Sequence, residues 1–223
     1  MTEEIRPTPT VEDYLQLIHR MARDGHKVIA TRLAEVMDVS MPTVTLTLKR
    51  MARDGYIVFD EHKEVDLTSI GHSAAESVIR RHMLTEWLLM RMLDVPWSEV
   101  HGEADQIEHT ISDRVQTQLQ DNLDNPTTCP HGNPLPGNEQ LVDHYTPLTG
   151  MQSGAGGVIR RVHENAEDNP EMLRYLELNG LVPGAPVEVL EVLAFNQTIT
   201  LRVRDRQLTV GWPVARYVYV ETL

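Results

Sequence analysis

A tight turn between two short helical segments constrains the fold of this chain more than any other feature of its sequence. Residues 30–37 have the composition of a helix, residues 38–40 suit a turn, and Ser40 is a typical N-cap for the helix that follows. An earlier helix is expected with Thr10 as its N-cap, and the two short alternating segments within 56–67 predict a β-hairpin. Three helices with a tight turn, followed by a hairpin, form the pattern of a winged helix-turn-helix domain.

The third helix of this pattern is expected to enter the major groove of DNA with its N-terminal end. Its side chains include few long hydrogen-bonding groups, so specificity is expected to depend on contacts with thymine methyl groups and on DNA shape. A helical module that contacts another protein is the alternative. The predicted DNA-binding residues are Ser40, Met41, Pro42, Thr43, Thr45, Leu46, Lys49 and Arg50, with His62 and Lys63 at the tip of the hairpin.

The net charge of −13 argues by itself against nucleic-acid binding, because phosphate contacts require Lys and Arg. Most of the acidic excess lies after residue 80, however, and residues 39–53 contain basic residues but no acid. One locally basic surface is enough for an acidic protein to bind DNA. The single cysteine excludes an internal disulfide and no stretch is apolar enough to span a membrane, so a cytoplasmic protein is expected.

Potential metal ligands are concentrated in a segment that we predict to be one helix from about Trp97 to Leu123. Two carboxylates and two imidazoles on one helix face form a ligand set for a divalent metal. A solvated acidic face is the alternative, and the apolar stripe that follows suits either a helix–helix dimer interface or an intrachain core. The four potential ligands on this face are His101, Asp105, Glu108 and His109.

A second potential ligand pair lies on a predicted long helix that ends near Met92. His82 and Glu86 are four residues apart and therefore share a face. Such a pair alone is more often a surface contact, but together with the first set it favours metal binding. Cys129 and His131 lie two residues apart in a loop rich in Asn, Pro and Gly, which is a weak metal motif, so we leave them out of the predicted ligands.

After residue 145 the composition changes to short strands with one helix at 170–178, which indicates a small SH3-like β barrel. The predicted fold class is therefore mainly α with small β parts. The predicted domains are a winged helix-turn-helix DNA-binding domain at 1–72, a helical metal-binding and dimerisation domain with a Pro/Gly-rich linker at 73–145, and an SH3-like domain at 146–223.

Short motifs along the whole chain carry a family resemblance. They are Val11-Glu-Asp-Tyr14, Ser40-Met-Pro-Thr-Val44, Arg50-Met-Ala-Arg-Asp-Gly55, Leu67-Thr-Ser-Ile-Gly71, Arg81-His-Met-Leu-Thr-Glu86, Val100-His-Gly-Glu-Ala-Asp-Gln-Ile-Glu-His109, Ser112-Asp113 and His131-Gly-Asn-Pro-Leu-Pro-Gly137. With these motifs the chain resembles the DtxR/MntR metal-dependent transcriptional repressors, of the diphtheria toxin repressor and manganese transport regulator type, in their three-domain form. The segment Leu178-Asn-Gly-Leu-Val-Pro-Gly184 resembles the FeoA-like SH3 domain of that family.

The resemblance implies two metal positions per subunit. The primary position would use Asp13, Asp105, Glu108 and His109. The ancillary position would use His82, Glu86 and His101, with Glu164 and Glu167 from the SH3-like domain.

The resemblance also bears on the identity of the metal. Iron-responsive members carry methionine and cysteine where this chain has Asp13 and Asp105, whereas manganese-responsive members carry acids. Since oxygen ligands suit Mn²⁺, we expect Mn²⁺, with Fe²⁺ as the alternative. Gln16 stands where the manganese regulators have another acid. Whether this chain forms the full two-metal cluster of those proteins is therefore left open.

The function implied by the resemblance is that of a homodimeric repressor of metal homeostasis. Metal binding between Asp13 and the 105–109 face would order the dimer so that two recognition helices, roughly 34–36 Å apart, match a palindromic operator. A metal-dependent hydrolase is the alternative from another class, but the sequence contains no separate nucleophile or substrate motif, so we predict no enzyme. A metal-buffering or transporter-accessory protein is a third alternative, which the helix-turn-helix opposes.

Overall fold

The computed structural model describes residues 6–222, and the chain divides into two compact units between Arg80 and Arg81. The first unit contains the helices and the hairpin expected for a winged helix-turn-helix. Its elements are α1 (Pro9–Arg23), α2 (Ala30–Met37), α3 (Met41–Arg53), β1 (Ile57–Phe59), β2 (Val65–Leu67) and the first part of α4 (Ser69–Met92).

Apolar residues at helical spacing form the core of the first unit. The largest buried side chains from α1, α2 and α3 are Tyr14, Leu15, Ile18, Leu33, Leu48 and Met51. Ser40 caps α3 by accepting a hydrogen bond from Thr43 N at 3.4 Å. The predicted N-cap Thr10 is wrong: Thr8 is the N-cap, and α1 begins two residues earlier than expected, at Pro9, because proline suits a first turn. The predicted winged helix-turn-helix is confirmed.

The second unit combines the rest of α4, two further helices and a β domain. Its other elements are α5 (Val100–Ile107), α6 (Asp113–Asn122), β3 (Thr146–Pro147), β4 (Gly156–Val162), α7 (Pro170–Leu178), β5 (Pro186–Leu193), β6 (Thr198–Val203), β7 (Arg206–Gly211), α8 (Trp212–Ala215) and β8 (Val218–Thr222). The strands form a six-stranded antiparallel sheet in the order β3-β8-β4-β5-β6-β7.

Irregular pairing bends this sheet around an apolar core. The register shifts once between β4 and β8 and once between β5 and β6, and such bulges increase strand twist. Leu173 and Leu176 of α7 are buried in this same core. The predicted fold class, mainly α with a small SH3-like β domain, is confirmed. No helix among residues 6–222 has the length and apolar character that a membrane crossing requires.

The predicted single helix from Trp97 to Leu123 is wrong. α5 starts at Val100 and passes into a short 3-10 turn, Glu108–Thr110, after which Ile111 is extended with a ψ of 117°. Ser112 then caps α6 by accepting a hydrogen bond from Val115 N at 3.3 Å. A serine that satisfies a free amide favours a new helix start over continuation of the old one.

Candidate metal centre

Two buried polar side chains lie on one face of α4. His82 Nε2 is 3.1 Å from Glu86 Oε1, as the four-residue spacing requires. Glu86 is 0% exposed and His82 is 6% exposed. A carboxylate buried this deeply needs charged or hydrogen-bonding neighbours.

The helix α5 and the 3-10 turn after it provide further neighbours. His101 Nδ1 lies 3.0 Å from His82 Nε2 and 3.2 Å from Glu86 Oε1. The other ring nitrogen of His82, Nδ1, lies 2.6 Å from Glu108 Oε2 and 3.3 Å from Asp105 Oδ1. His82 therefore contacts residues predicted for both metal positions. Its Nε2 faces the ancillary residues Glu86 and His101, and its Nδ1 faces the primary residues Asp105 and Glu108.

A buried loop contributes a third histidine. His131 is 0% exposed, and its Nδ1 lies 3.4 Å from Glu86 Oε1 and 3.4 Å from Glu167 Oε1. Cys129 is also buried, and one donor atom from each of Glu86, Cys129 and His131 lies within 4.8 Å of the others. The backbone ties this loop to the sheet, since Val162 N donates to His131 O at 2.8 Å.

The β domain contributes an acid that Asn133, in the loop around His131, helps to orient. Glu167 follows the 3-10 turn Glu164–Ala166, and its Oε2 lies 3.3 Å from His101 Nδ1. Asn133 Nδ2 donates to Glu167 Oε1 at 2.6 Å, and Arg161 Nε donates to Asn133 Oδ1 at 2.5 Å. Hydrogen bonds of this kind orient the side chains that bind a metal.

Burial and charge act in opposite directions on the histidines of this cluster. Burial would lower the pKa of His101, but neighbouring carboxylates, chiefly Asp168 and Glu86, outweigh it and raise the pKa to about 10. Burial also opposes protonation of His82 and His131, yet the carboxylates around them raise the pKa of both imidazoles. The metal-free cluster therefore favours protonated imidazoles.

The two central carboxyl groups differ in their ionisation. Burial acts to raise the pKa of Glu86, but His131, His101 and other imidazoles hold it well below its ordinary range. Burial raises the pKa of Glu167 to about 7, although the charges of His131 and His101 oppose this effect. Glu86 is thus the anion around which the histidines are arranged.

We expect the metal-free protein to lose stability as the pH rises from about 6 to 9. The pKa of His101 is about 10 in the folded protein. Because this lies above the ordinary value near 6.5, the stabilising contribution is complete below that value and is lost as the pH rises toward 10. The raised pKa of Glu167 acts in the same direction between about 4.5 and 7. The slope is on the order of 1.4 kcal/mol per pH unit for each such group.

Urea denaturation of the metal-free protein at several pH values measures this slope. Saturating Mn²⁺ should reduce it, because a metal requires neutral imidazoles and its affinity rises with pH. The variant His101→Asn serves as a control that lacks one of the titrating groups. Equal stability of the metal-free protein at pH 6 and pH 9 would contradict the assignment of protons to this cluster.

The residues present fit a divalent cation. Glu86 Oε2 and His131 Nδ1 are buried and lack a hydrogen-bond partner of acceptable geometry. A buried polar atom without a hydrogen-bond partner lowers the stability of the folded protein by about 1–3 kcal/mol, and a bound cation would remove this cost. Carboxylate and imidazole groups are ligands for Mn²⁺, Fe²⁺ and Zn²⁺. A cavity of 580 Å³, lined in part by His101, Glu167 and Asp168, leads to the cluster from solvent.

The structure brings together most of the predicted ancillary residues. His82, Glu86, His101 and Glu167 lie in the cluster, and Glu164 is buried in the turn beside Glu167.

The residues predicted for the primary position lie on several elements. Glu108 is buried and Asp105 is exposed, and both contact His82. His109 lies in the 3-10 turn, and Asp13 is an exposed residue of α1 in the first unit. The use of all these residues as metal ligands stays a prediction.

The predicted DNA-binding residues are on the surface of the first unit. Those of α3 with its cap are exposed, namely Ser40, Met41, Pro42, Thr43, Thr45, Leu46, Lys49 and Arg50. His62 and Lys63 are exposed at the turn between β1 and β2, where Asp60 Oδ1 accepts hydrogen bonds from His62 N and Glu64 N.

Sequence reasoning missed two members of the cluster. His131 and Cys129 lie at least 20 positions along the chain from the other predicted ligands, and their spacing alone is a weak signal. The motif that begins at His131 carried part of the family resemblance, and that was the available signal for this histidine.

Comparisons with known proteins decide the family. Three family models match this chain. The model of the iron dependent repressor N-terminal DNA binding domain matches residues 7–65, and the model of the iron dependent repressor metal binding and dimerisation domain matches residues 68–137. The FeoA domain model matches residues 146–222. The iron-dependent repressor IdeR of Mycobacterium leprae (strain TN) is 35% identical over 95% of this chain and 96% of that protein. The chain belongs to the iron-dependent repressor family.

Solved structures agree with this assignment. A manganese-dependent transcriptional repressor in complex with manganese is 30% identical, covers 96% of this chain and 100% of its own, and superposes with a TM-score of 0.81. The manganese regulator SloR is 34% identical, with coverage of 97% and 100% and a TM-score of 0.74. The repressor is therefore a metal-dependent, DNA-binding and dimerising transcriptional regulator, and the hydrolase alternative is excluded because this family consists of repressors.

Proposed function

We propose that this repressor is activated by Mn²⁺ and binds a palindromic operator as a homodimer. The observation that carries the proposal is the buried cluster of imidazoles and carboxylates in the second unit. It joins α4, α5, the loop around His131 and the segment around Glu167, which are far apart in sequence. Bound metal would replace the protons of this cluster and stabilise one arrangement of these segments.

The residues proposed to hold metal form two sets. The ancillary set comprises His82, Glu86, His101, Glu164 and Glu167, to which the geometry adds His131. The primary set, carried over from the family resemblance, comprises Asp13, Asp105, Glu108 and His109. Both sets consist of oxygen and nitrogen donors, which suit Mn²⁺. The manganese-dependent repressors among the structural relatives support the same metal.

Fe²⁺ is the second candidate. Cys129 lies beside Glu86 and His131, and a sulfur donor favours iron and later metals over manganese. The relative from Mycobacterium leprae is described as iron-dependent. Burial and the charges of Glu86 and Glu167 raise the pKa of the Cys129 thiol well above its ordinary value. The thiol is therefore protonated without metal, which weakens the case for a soft ligand.

The proposed DNA contacts come from α3 and from the turn between β1 and β2. α3 has basic residues in its last turn and no acid in its first, and residues 40–43 at its N-terminal end are exposed. Two copies of α3 in a dimer would meet successive major grooves, about 34–36 Å apart. Binding should weaken steeply with salt, since Lys49, Arg50 and Lys63 would contact phosphates.

The test of this function is binding to a palindromic promoter fragment at fixed salt and fixed buffered metal concentrations. Mn²⁺, anaerobic Fe²⁺ and Zn²⁺ are compared with the metal-free protein. We expect Mn²⁺ to tighten binding about 5–150-fold, the usual range of allosteric coupling. A stronger response to Fe²⁺ would assign the protein to iron instead, and indifference to every metal would refute metal activation.

The variant Asp13→Ala is expected to lose this metal stimulation while keeping a folded dimer. Asp13 is exposed on α1, so its removal leaves no cavity in the core. The matched control is Glu35→Ala, which removes an exposed acid from α2. Operator affinity of Asp13→Ala that still rises with Mn²⁺ as in the unmodified protein would exclude Asp13 from the primary position.

A further inference from the structure

α3 exposes an apolar side chain on the face that a recognition helix turns toward bases. Leu46 is 72% exposed. The buried residues of α3 are Val44, Leu48 and Met51, and at 100° per residue Leu46 lies on the opposite side of the helix from them. Lys49 and Arg53 are exposed one and two turns later on the same side. This face is thus apolar near its N-terminal end and basic near its C-terminal end.

The hydroxyl groups around Leu46 are engaged within α3 itself. Thr45 Oγ1 donates to Met41 O at 2.8 Å, and Thr47 Oγ1 donates to Thr43 O at 3.0 Å. These threonines therefore have no hydroxyl proton to offer a base acceptor. The first half of α3 contains no Arg, Lys, Asn or Gln, the side chains that usually read guanine and adenine.

We infer that Leu46 reads thymine, by contact with the 5-methyl group that is the one apolar feature of an unmodified base edge in the major groove. The ligand is therefore an operator half-site that has an A·T base pair opposite Leu46. The thymine of that pair faces the Leu46 side chain. The basic residues further along the same face contact phosphates and set the register, but they carry no base information. The inference rests on the proposed function in one respect, that α3 is the helix in the groove.

Replacement of thymine by uracil in the operator tests this directly, because uracil keeps the hydrogen-bonding edge and lacks only the methyl group. Thymines are replaced one symmetric pair at a time, and binding is measured with saturating Mn²⁺ at fixed salt. We expect the replacement of one symmetric pair of thymines to lower the affinity more than the replacement of any other pair. Burial of one methyl group corresponds to about a fourfold change in affinity, so loss in both half-sites should weaken binding about 15-fold.

The variant Leu46→Ala separates the methyl contact from other effects of uracil. It should bind the thymine operator about as weakly as the unmodified protein binds the uracil operator, and its own affinity should no longer respond to uracil at that pair. Leu178→Ala is the matched control, since Leu178 is 73% exposed but lies on α7 in the second unit. That variant should retain the full response to uracil.

Two results would overturn the inference, and a third would overturn the proposed function instead. If uracil at every position leaves the affinity unchanged while Mn²⁺ still stimulates binding, thymine reading is wrong and the proposed function stands. If Leu46→Ala lowers the affinity for the thymine operator and for the uracil operator by the same factor, the variant still distinguishes the two operators. Another residue then reads the methyl group. If the metal-free protein binds the operator and no tested metal tightens that binding, the proposed metal activation is wrong. The uracil series can then still be measured with the metal-free protein, so this failure is distinguishable from failure of thymine reading.

Discussion

Glu86→Gln is expected to remove metal binding at the buried cluster and to destabilise the metal-free protein. Glu86 Oε1 lies 3.1 Å from a nitrogen of His82, 3.2 Å from one of His101 and 3.4 Å from one of His131. Glutamine has the same shape but no charge, so buried imidazolium groups lose their counter-ion. Breaking a buried ion pair in this way costs about 3–5 kcal/mol. Loss of a ligand should lower Mn²⁺ affinity by more than the roughly 10–100-fold that loss of a supporting hydrogen bond causes.

Calorimetric Mn²⁺ titration and urea denaturation measure the two effects separately. Glu103→Gln is the matched control, because Glu103 is an exposed acid of α5 and the same chemical change there should leave both quantities within experimental error. Mn²⁺ binding to Glu86→Gln with the stoichiometry and affinity of the unmodified protein would show that the cluster is not a metal site.

Gly132→Ala is expected to destabilise the second unit and to displace His131 from the cluster. Gly132 has a φ of +86°, and a Cβ there would lie 1.9 Å from Arg160 O and 2.8 Å from Arg160 C. These atoms belong to the backbone of β4, which cannot move without disturbing the sheet. Left-handed backbone costs an alanine about 1–2 kcal/mol, and overpacking adds about 1–3 kcal/mol. The expected loss is therefore about 2–5 kcal/mol, with a parallel fall in Mn²⁺ affinity.

Gly137→Ala isolates the part of this effect that comes from the backbone conformation. Gly137 has a φ of +91° in the same loop, but a Cβ there meets nothing within 4 Å. We expect this variant to lose only about 1–2 kcal/mol and to bind Mn²⁺ normally. Equal losses of stability for the two variants, measured by urea denaturation, would mean that the close approach of Gly132 to β4 is unimportant.

Features with a local physical cause could be read from the sequence. The apolar spacing of α1 and α3 identified their buried faces, and the Ser40 cap identified the start of α3. The pairing of β1 with β2 followed from two short segments and a polar turn. Each depends on residues within a few positions of one another, so helix periodicity or turn chemistry is sufficient to predict it.

Competition between local signals limited the prediction. The helical pattern of 97–123 continued across Ile111 and Ser112, yet the capping of α6 by Ser112 divides it. Periodicity records which face is apolar, and it does not record whether a serine takes up a free backbone amide or faces solvent.

The sequence by itself determined the winged helix-turn-helix, the small β domain and the shared faces of His82 with Glu86 and of His101 with Asp105, because helix and strand periods are local properties. Only the tertiary structure decided that His131 lies against those faces, and it placed Glu167, which the family resemblance alone had implied, beside them. Their positions depend on hydrogen bonds between distant segments, such as Val162 N to His131 O and Asn133 Nδ2 to Glu167 Oε1. No short spacing in a sequence records such contacts, since they form only when the β domain packs against the loop.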